Sequence, residues 1–152
     1  NYRFINGDPL SGSKVEYSKY IGFYNNCLSI IEEGNNYRML GWLPFMYNSV
    51  PSLSKTSFSW LLGGAKKVNT NLNGEERAIV VTGEMEKYFP MDIYPMQLIK
   101  ACMRGDIEKM ESLGIYEVVP EDFGLVDFSC TSKIEAQEII KSGIEIMLKE
   151  VG

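Results

Sequence analysis

Two stretches of the chain carry the spacing of an iron–sulfur cluster loop with almost none of its ligands. A bacterial cluster run reads C-x2-C-x2-C-x3-C-P, because four thiolates must converge on one cluster. Pro120, Phe123, Val126 and Cys130 occupy the ligand positions of one such frame. Ile79, Thr82, Met85 and Phe89 occupy those of a second, which ends on Phe89-Pro90 and lies about 41 residues upstream. Cys130 is the one cluster ligand among the eight. The spacing is that of an electron relay, and the residue types are not. These paired frames are the chain's one hint of internal duplication, and it has no solenoid period or low-complexity tract.

Other chemistry fares no better. The chain contains no histidine, so the commonest neutral-pH base and metal ligand is missing. Cys27, Cys102 and Cys130 are odd in number and widely spaced, without the paired short spacings of a zinc site. They fit buried thiols in a reducing compartment. Glu32-Glu33, Glu75-Glu76, Glu84 with Glu86, and Glu121-Asp122 are adjacent acids of the kind that solvate turns or cap helices. Gly7, Gly12, Gly63 and Gly64 match neither dinucleotide nor phosphate-loop patterns. Ser11 and Ser13 flank Gly12 without a nucleophile motif. An aromatic and Met-rich zone, Trp42, Phe45, Met46, Tyr47, Phe58 and Trp60, could line an apolar quinone pocket. Core packing or a subunit interface accounts for it more simply. Met91, Met96, Met103 and Met110 read as adaptable core filler. No residue is therefore assigned to catalysis, cofactor binding or metal ligation.

A chain of 152 residues can bury a core as one domain or two small ones. Its 45% hydrophobic and 23% charged residues are ordinary for a globular protein. A net charge of −5, with Lys66-Lys67 as the one basic pair, argues against nucleic acid. No apolar run approaches the roughly 18–20 residues needed to span a bilayer. The start, Asn1-Tyr2-Arg3, lacks an initiator Met and a signal region, and reads as a fragment of a larger protein.

The elements that must position the frames fall in two halves. The first carries strand chemistry over about 50 residues. Asn6-Gly7-Asp8-Pro9 is a turn, and Tyr20 to Tyr24 has the composition of a short strand. Cys27–Ile31 and Tyr37–Leu40 around Glu32–Asn36 suggest a hairpin. Gly12, Gly22 and Gly41 suggest bulges or close backbone approaches. Thr56 could cap a short helix through Trp60, ended by Gly63-Gly64. Lys66–Arg77 is polar, with an Asn73-Gly74 turn, and reads as a mobile connector. Ala78–Val81 reads as a strand or buried segment. Helices are then predicted from Pro95 to Gly105, from Asp106 to Gly114, from Pro120, and from a Ser132–Glu135 capping box. In the last of these Ile140, Ile144 and Met147 share a stripe.

Along its whole length the chain resembles the C-terminal part of the A subunit of the bacterial sodium-translocating NADH:quinone reductase. The resemblance rests on an ordered series: Asn6–Gly12, Ser29–Gly34, Leu40–Leu43, Phe89–Pro95, Arg104–Asp106, Ser112–Gly114 and Glu121–Leu125. It implies an α+β fold: a partial SLBB-like β-grasp region with a hairpin over 1–65, a linker over 66–77, and a helical domain over 78–152. That last domain would resemble a cluster-less ferredoxin-type domain, since related cluster-bearing proteins of the Rnf complex keep the cysteines missing here. The implied role is a non-catalytic portion of a peripheral subunit on the cytoplasmic side of the inner membrane. The whole complex would use NADH and quinone and export sodium, while this piece would hold no cofactor and be inactive alone. Its partners would be the other subunits, membrane-embedded ones included, with quinone reached through the full-length subunit. Composition alone also fits a free-standing α+β scaffolding module with no redox role.

Overall fold

The computed structural model describes residues 1–36, 40, 60–61, 67–80 and 82–151. The fold is α+β and divides into two compact units, residues 1–76 and 77–152.

In the first unit, β1 (Tyr2–Asn6) is the centre of an antiparallel sheet, with β2 (Ser13–Val15) on one side and β3 (Leu28–Glu32) on the other. Phe4 stands opposite Val15 in one pairing and Ile30 in the other. The turn after β1 forms as its residues dictate. Gly7 takes φ +106°, which a side chain disfavours, and Asp8 Oδ1 accepts from the N–H groups of Leu10 and Ser11 at 2.8 and 3.0 Å. Gly12 packs against this turn so closely that a Cβ would stand 2.4 Å from the Asp8 carbonyl.

One expectation for this unit is corrected. Tyr20–Tyr24 is no strand: Gly22 accepts a turn bond from Asn25 N–H at 3.0 Å, and Tyr20, Phe23 and Tyr24 are almost fully exposed. Their β propensity has no neighbouring strand to act through. The connection expected at Glu32–Asn36 begins on the last residue of β3. β3 pairs with β1, and the backbone after it lies along Asn69–Asn71. Thr70 N–H donates to the Glu32 carbonyl at 3.1 Å, and Asn36 N–H donates to Asn71 Oδ1 at 3.1 Å. Of the proposed partner strand, Leu40 alone is described, at φ +55°, and the rest lies outside the described residues. So do Gly41 and the helix expected between Thr56 and Gly64, apart from Trp60 and Leu61.

The second unit is helical, with α1 (Pro95–Arg104), α2 (Ile107–Ser112), α3 (Gly124–Ser129) and α4 (Ala136–Val151). Short 3-10 turns cover Met85–Lys87, Ile115–Glu117 and Pro120–Phe123. Pro95 opens α1, its missing N–H being one the first turn would leave unpaired, and Gly105 closes it at φ +67°. Asp106 caps α2 by accepting from Lys109 N–H at 3.3 Å, and Gly114 ends that stretch at φ +88°. α4 packs on α1, on α3 and on the Pro120–Phe123 turn. The core between them holds Leu98, Ile99, Met110, Ile115, Phe123, Val126 and Ile140. Gly143 lets α4 approach α1, since a Cβ there would stand 2.5 Å from Cys102 Sγ.

Two further expectations are corrected. Ala78–Val80 forms no strand: Ala78 and Val80 are exposed, Ile79 is half-buried against the core, and Val81 lies outside the described residues. Ser132 and Glu135 do not build a capping box. Ser132 Oγ instead donates to the Ala78 carbonyl at 3.2 Å, and α4 begins at Ala136. The cap comes from nine residues upstream. Asp127 accepts from the N–H groups of Ala136 and Gln137 and from Gln137 Nε2, the last at 2.8 Å.

Candidate functional site

The cluster-like frames lie in the second unit, and their positions are mostly core. From the upstream frame Met85 and Phe89 are buried and Ile79 packs on the core, while Thr82 is exposed. From the downstream frame Phe123, Val126 and Cys130 are buried and Pro120 is half-buried. These side chains bring hydrophobic contact where a cluster frame would bring thiolates. Burying a ring such as that of Phe123 is worth roughly 2–3 kcal/mol.

Elements from both frames meet. The rings of Phe89 and Phe123 lie 4.7 Å apart between centroids, tilted at 47°, a favourable aromatic geometry. Cys130 shares a cavity of about 220 Å³ with Thr82, Met85, Ala78 and Met96. Hydrogen bonds hold this region together. Arg77 N–H donates to the Ser132 carbonyl at 2.9 Å, and Thr131 Oγ1 donates to Glu84 Oε2 at 2.7 Å.

The carboxylate groupings do not converge on one another as acid–base pairs. Glu33 is clamped by the Arg3 guanidinium, which holds its carboxyl below the usual range. Glu84 accepts from Thr131, and Asp122 accepts from Val119 N–H at 2.9 Å as half a capping box. Glu75, Glu76 and Glu121 are exposed. One Glu86 carboxylate oxygen is buried without a hydrogen-bond partner. Among the described residues, no three cysteine, aspartate or glutamate side chains group to hold a metal ion.

The cysteines are free thiols, Cys27 exposed and Cys102 and Cys130 buried. Burial pushes the Cys102 thiol up to about 11, which makes it unreactive near neutral pH. Met96 and Met110 are core residues and Met91 packs against the core. Met103 faces solvent at 60% exposure, because it follows Cys102 off the buried face of α1. Of the aromatic zone, Trp60 is described and half-exposed, whereas Trp42, Phe45, Met46, Tyr47 and Phe58 lie outside the described residues.

Two features were not singled out from sequence. One is the exposed aromatic loop after β2, where Tyr17, Tyr20, Phe23 and Tyr24 face solvent and the last two rings meet edge to face at 5.2 Å. Four aromatics within eight residues was the available signal. The other is Asp127, whose capping role depends on a fold-level approach that no local spacing encodes. Its partial burial wins over three hydrogen bonds and raises its pKa.

No helix among the described residues is long and apolar enough to cross a membrane. No protein-family model matches the chain. Curated proteins do. It is 33% identical over 149 residues to a protein of Neisseria meningitidis serogroup C, 34% over 154 to one of Pasteurella multocida, and 35% over 150 to one of Saccharophagus degradans. Each is named as the A subunit of a Na(+)-translocating NADH-quinone reductase. The matches cover 97% of this chain and 33% of each relative, so the chain spans about a third of their length. It is a homologue of part of the A subunit of the Na(+)-translocating NADH-quinone reductase family.

Proposed function

We propose that this chain is a docking portion of the A subunit in a sodium-translocating NADH:quinone reductase, contributing surface and no electron carrier of its own. The observation that carries this is the match over 97% of the chain to relatives of that name. The geometry supports a docking role over a catalytic one. Glu33 is held in an ion pair, Glu84 by the Thr131 hydroxyl and Asp122 in a cap, the frame positions are mostly filled with apolar side chains, and Tyr17, Tyr20, Phe23 and Tyr24 present an aromatic surface. Exposed apolar surface of this kind marks interaction sites, and aromatic residues are enriched at them.

On this proposal the first unit is part of an SLBB-like β-grasp region and the second a ferredoxin-type helical domain without its cluster. Leu72–Glu76, exposed throughout, is the connector between them. The chain sits at the membrane surface by way of the other subunits, and the complex as a whole passes electrons from NADH to quinone and exports sodium. The test is purification of the full-length protein from its native membrane in mild detergent. Recovery with several membrane-spanning subunits and a flavin-bearing NADH dehydrogenase is the expected result. Recovery alone at full yield, beside an intact reductase lacking it, overturns the proposal.

A further inference from the structure

Three sulfur-bearing side chains line the cavity of about 220 Å³ in the second unit, and they come from three separate elements. Met85 opens the 3-10 turn Met85–Lys87, Met96 is the second residue of α1, and Cys130 follows the last residue of α3. All three are at most 3% exposed. Hydrogen bonds fix the backbone that carries them. The Met85 carbonyl accepts from the N–H groups of Tyr88 and Phe89 at 3.1 and 3.0 Å, and Cys130 N–H donates to the Val126 carbonyl at 2.8 Å. The Thr131–Glu84 bond then ties the neighbour of Cys130 to the neighbour of Met85. Protein interiors are close-packed, and methionine is the side chain that adapts to fill their gaps. A volume left open between two buried methionines and a buried thiol is therefore room for an occupant.

We propose that this cavity binds a soft monovalent metal ion, copper(I), through the Cys130 thiolate and the thioethers of Met85 and Met96. Donor type and charge select the ion. Thiolate and thioether sulfur favour copper(I), whereas magnesium, calcium and manganese take oxygen. Glu84 is the one carboxylate on the lining, and it already accepts from Thr131. Binding releases the thiol proton to solvent. One thiolate and one monovalent cation then leave the cavity neutral, while a divalent ion would leave a positive charge in an apolar surround. Arg77, Thr82 and Thr131 line the same cavity and are exposed, which gives the ion a way in, and Arg77 and Glu84 balance the charge there. Unbranched methionine side chains can swing onto an ion without moving their backbone.

The intact chain, reduced and kept free of oxygen, is titrated with copper(I) against bicinchoninate, whose coloured copper complex reports the ion left unbound. About one copper(I) per chain should be held against the chelator. Cys130→Ala should abolish that binding. Met85→Leu and Met96→Leu, which conserve volume, should each weaken it about tenfold or more. Cys27→Ala and Cys102→Ala should leave it unchanged. Copper-edge X-ray absorption of the loaded chain should show sulfur neighbours and no nitrogen or oxygen ones.

No copper held against the chelator overturns the proposal. So does binding that survives Cys130→Ala, binding that either methionine variant leaves at full strength, or binding lost in Cys27→Ala or Cys102→Ala. Nitrogen or oxygen neighbours in the X-ray absorption overturn the sulfur donor set. Should Cys130→Ala fail to fold, Met85→Leu/Met96→Leu, shown folded by circular dichroism, decides alone, and a copper affinity equal to that of the unaltered chain overturns the site.

Discussion

The two units of this chain solve folding in different ways. Residues 77–152 close around a core of sixteen buried side chains drawn from every helix and from the loops between them. Among the described residues of 1–76, Ile5 is the one buried hydrophobic side chain, at 5% exposure. There the backbone is held by ladder bonds, by the Asp8 turn and by the asparagines of 69–71, and aromatic rings are left in water. Directional bonds fix a shape at modest net gain, whereas apolar burial supplies the larger stabilisation. The second unit is thus expected to carry the stability and the first to present surface.

Core truncation probes that contrast with the largest effect. Phe123→Ala should cost about 3–5 kcal/mol in denaturant unfolding, since the ring is fully buried and the site cannot collapse around Phe89. Tyr24→Ala, at 94% exposure, should change stability by no more than about 0.5 kcal/mol. Equal losses from the two substitutions would remove the distinction between the units.

The next effect concerns the long-range cap. Asp127→Ala should cost about 1–2 kcal/mol, because it strips an acceptor from two N–H groups at the start of α4. Ser132→Ala should cost less than half of that. The pH dependence separates charge from cap. The folded carboxyl of Asp127 is raised above its unfolded value, so the folded state holds the extra proton between the two. Stability from this group should therefore fall as pH rises through that window. Asp127→Asn should abolish that slope while keeping one acceptor, and a pH series of unfolding midpoints reads it directly.

Gly143→Ala sets two known effects against each other. Alanine gains about 1 kcal/mol in helix propensity, but its Cβ would meet Cys102 Sγ at 2.5 Å, and overpacking costs about 1–3 kcal/mol. A net loss of about 1 kcal/mol is expected, reduced in Gly143→Ala/Cys102→Ala. Net stabilisation by Gly143→Ala alone would mean that α1 and α4 pack more loosely than the 2.5 Å approach implies.

How much of this was legible in the sequence follows the range of the interactions. Pro95, Gly105, Asp106 and Gly114 bound their helices as expected, because caps and left-handed glycines act within one turn of chain. Ile140 and Met147 are buried, with Ile144 packed beside them, because α4 has one face to bury. The misses are non-local. Tyr20–Tyr24 has strand residues and no partner strand. β3 finds β1 across more than twenty intervening residues. Asp127, not the adjacent Ser132, caps α4. Most residues of the two frames are core, as their apolar types imply, but only the fold brings Phe89 to Phe123 and Cys130 to Met85.

Limited proteolysis gives the smallest and cheapest refinement. Leu72–Glu76 is exposed, whereas Asn69–Asn71 is tied to residues 32–36. First cuts between residues 72 and 77 are expected, releasing a helical piece, and first cuts inside α1 or α4 would place the boundary elsewhere.

Whether this chain contributes a docking surface without an electron carrier is decided by NADH:quinone turnover. The purified chain should show none, with or without added flavin, beside an intact complex that turns over, because cofactors carry hydride and electron chemistry and no cofactor motif is present in the sequence. Turnover by the chain approaching that of the complex would contradict the docking role and return the carboxylates and aromatics to consideration as a redox site.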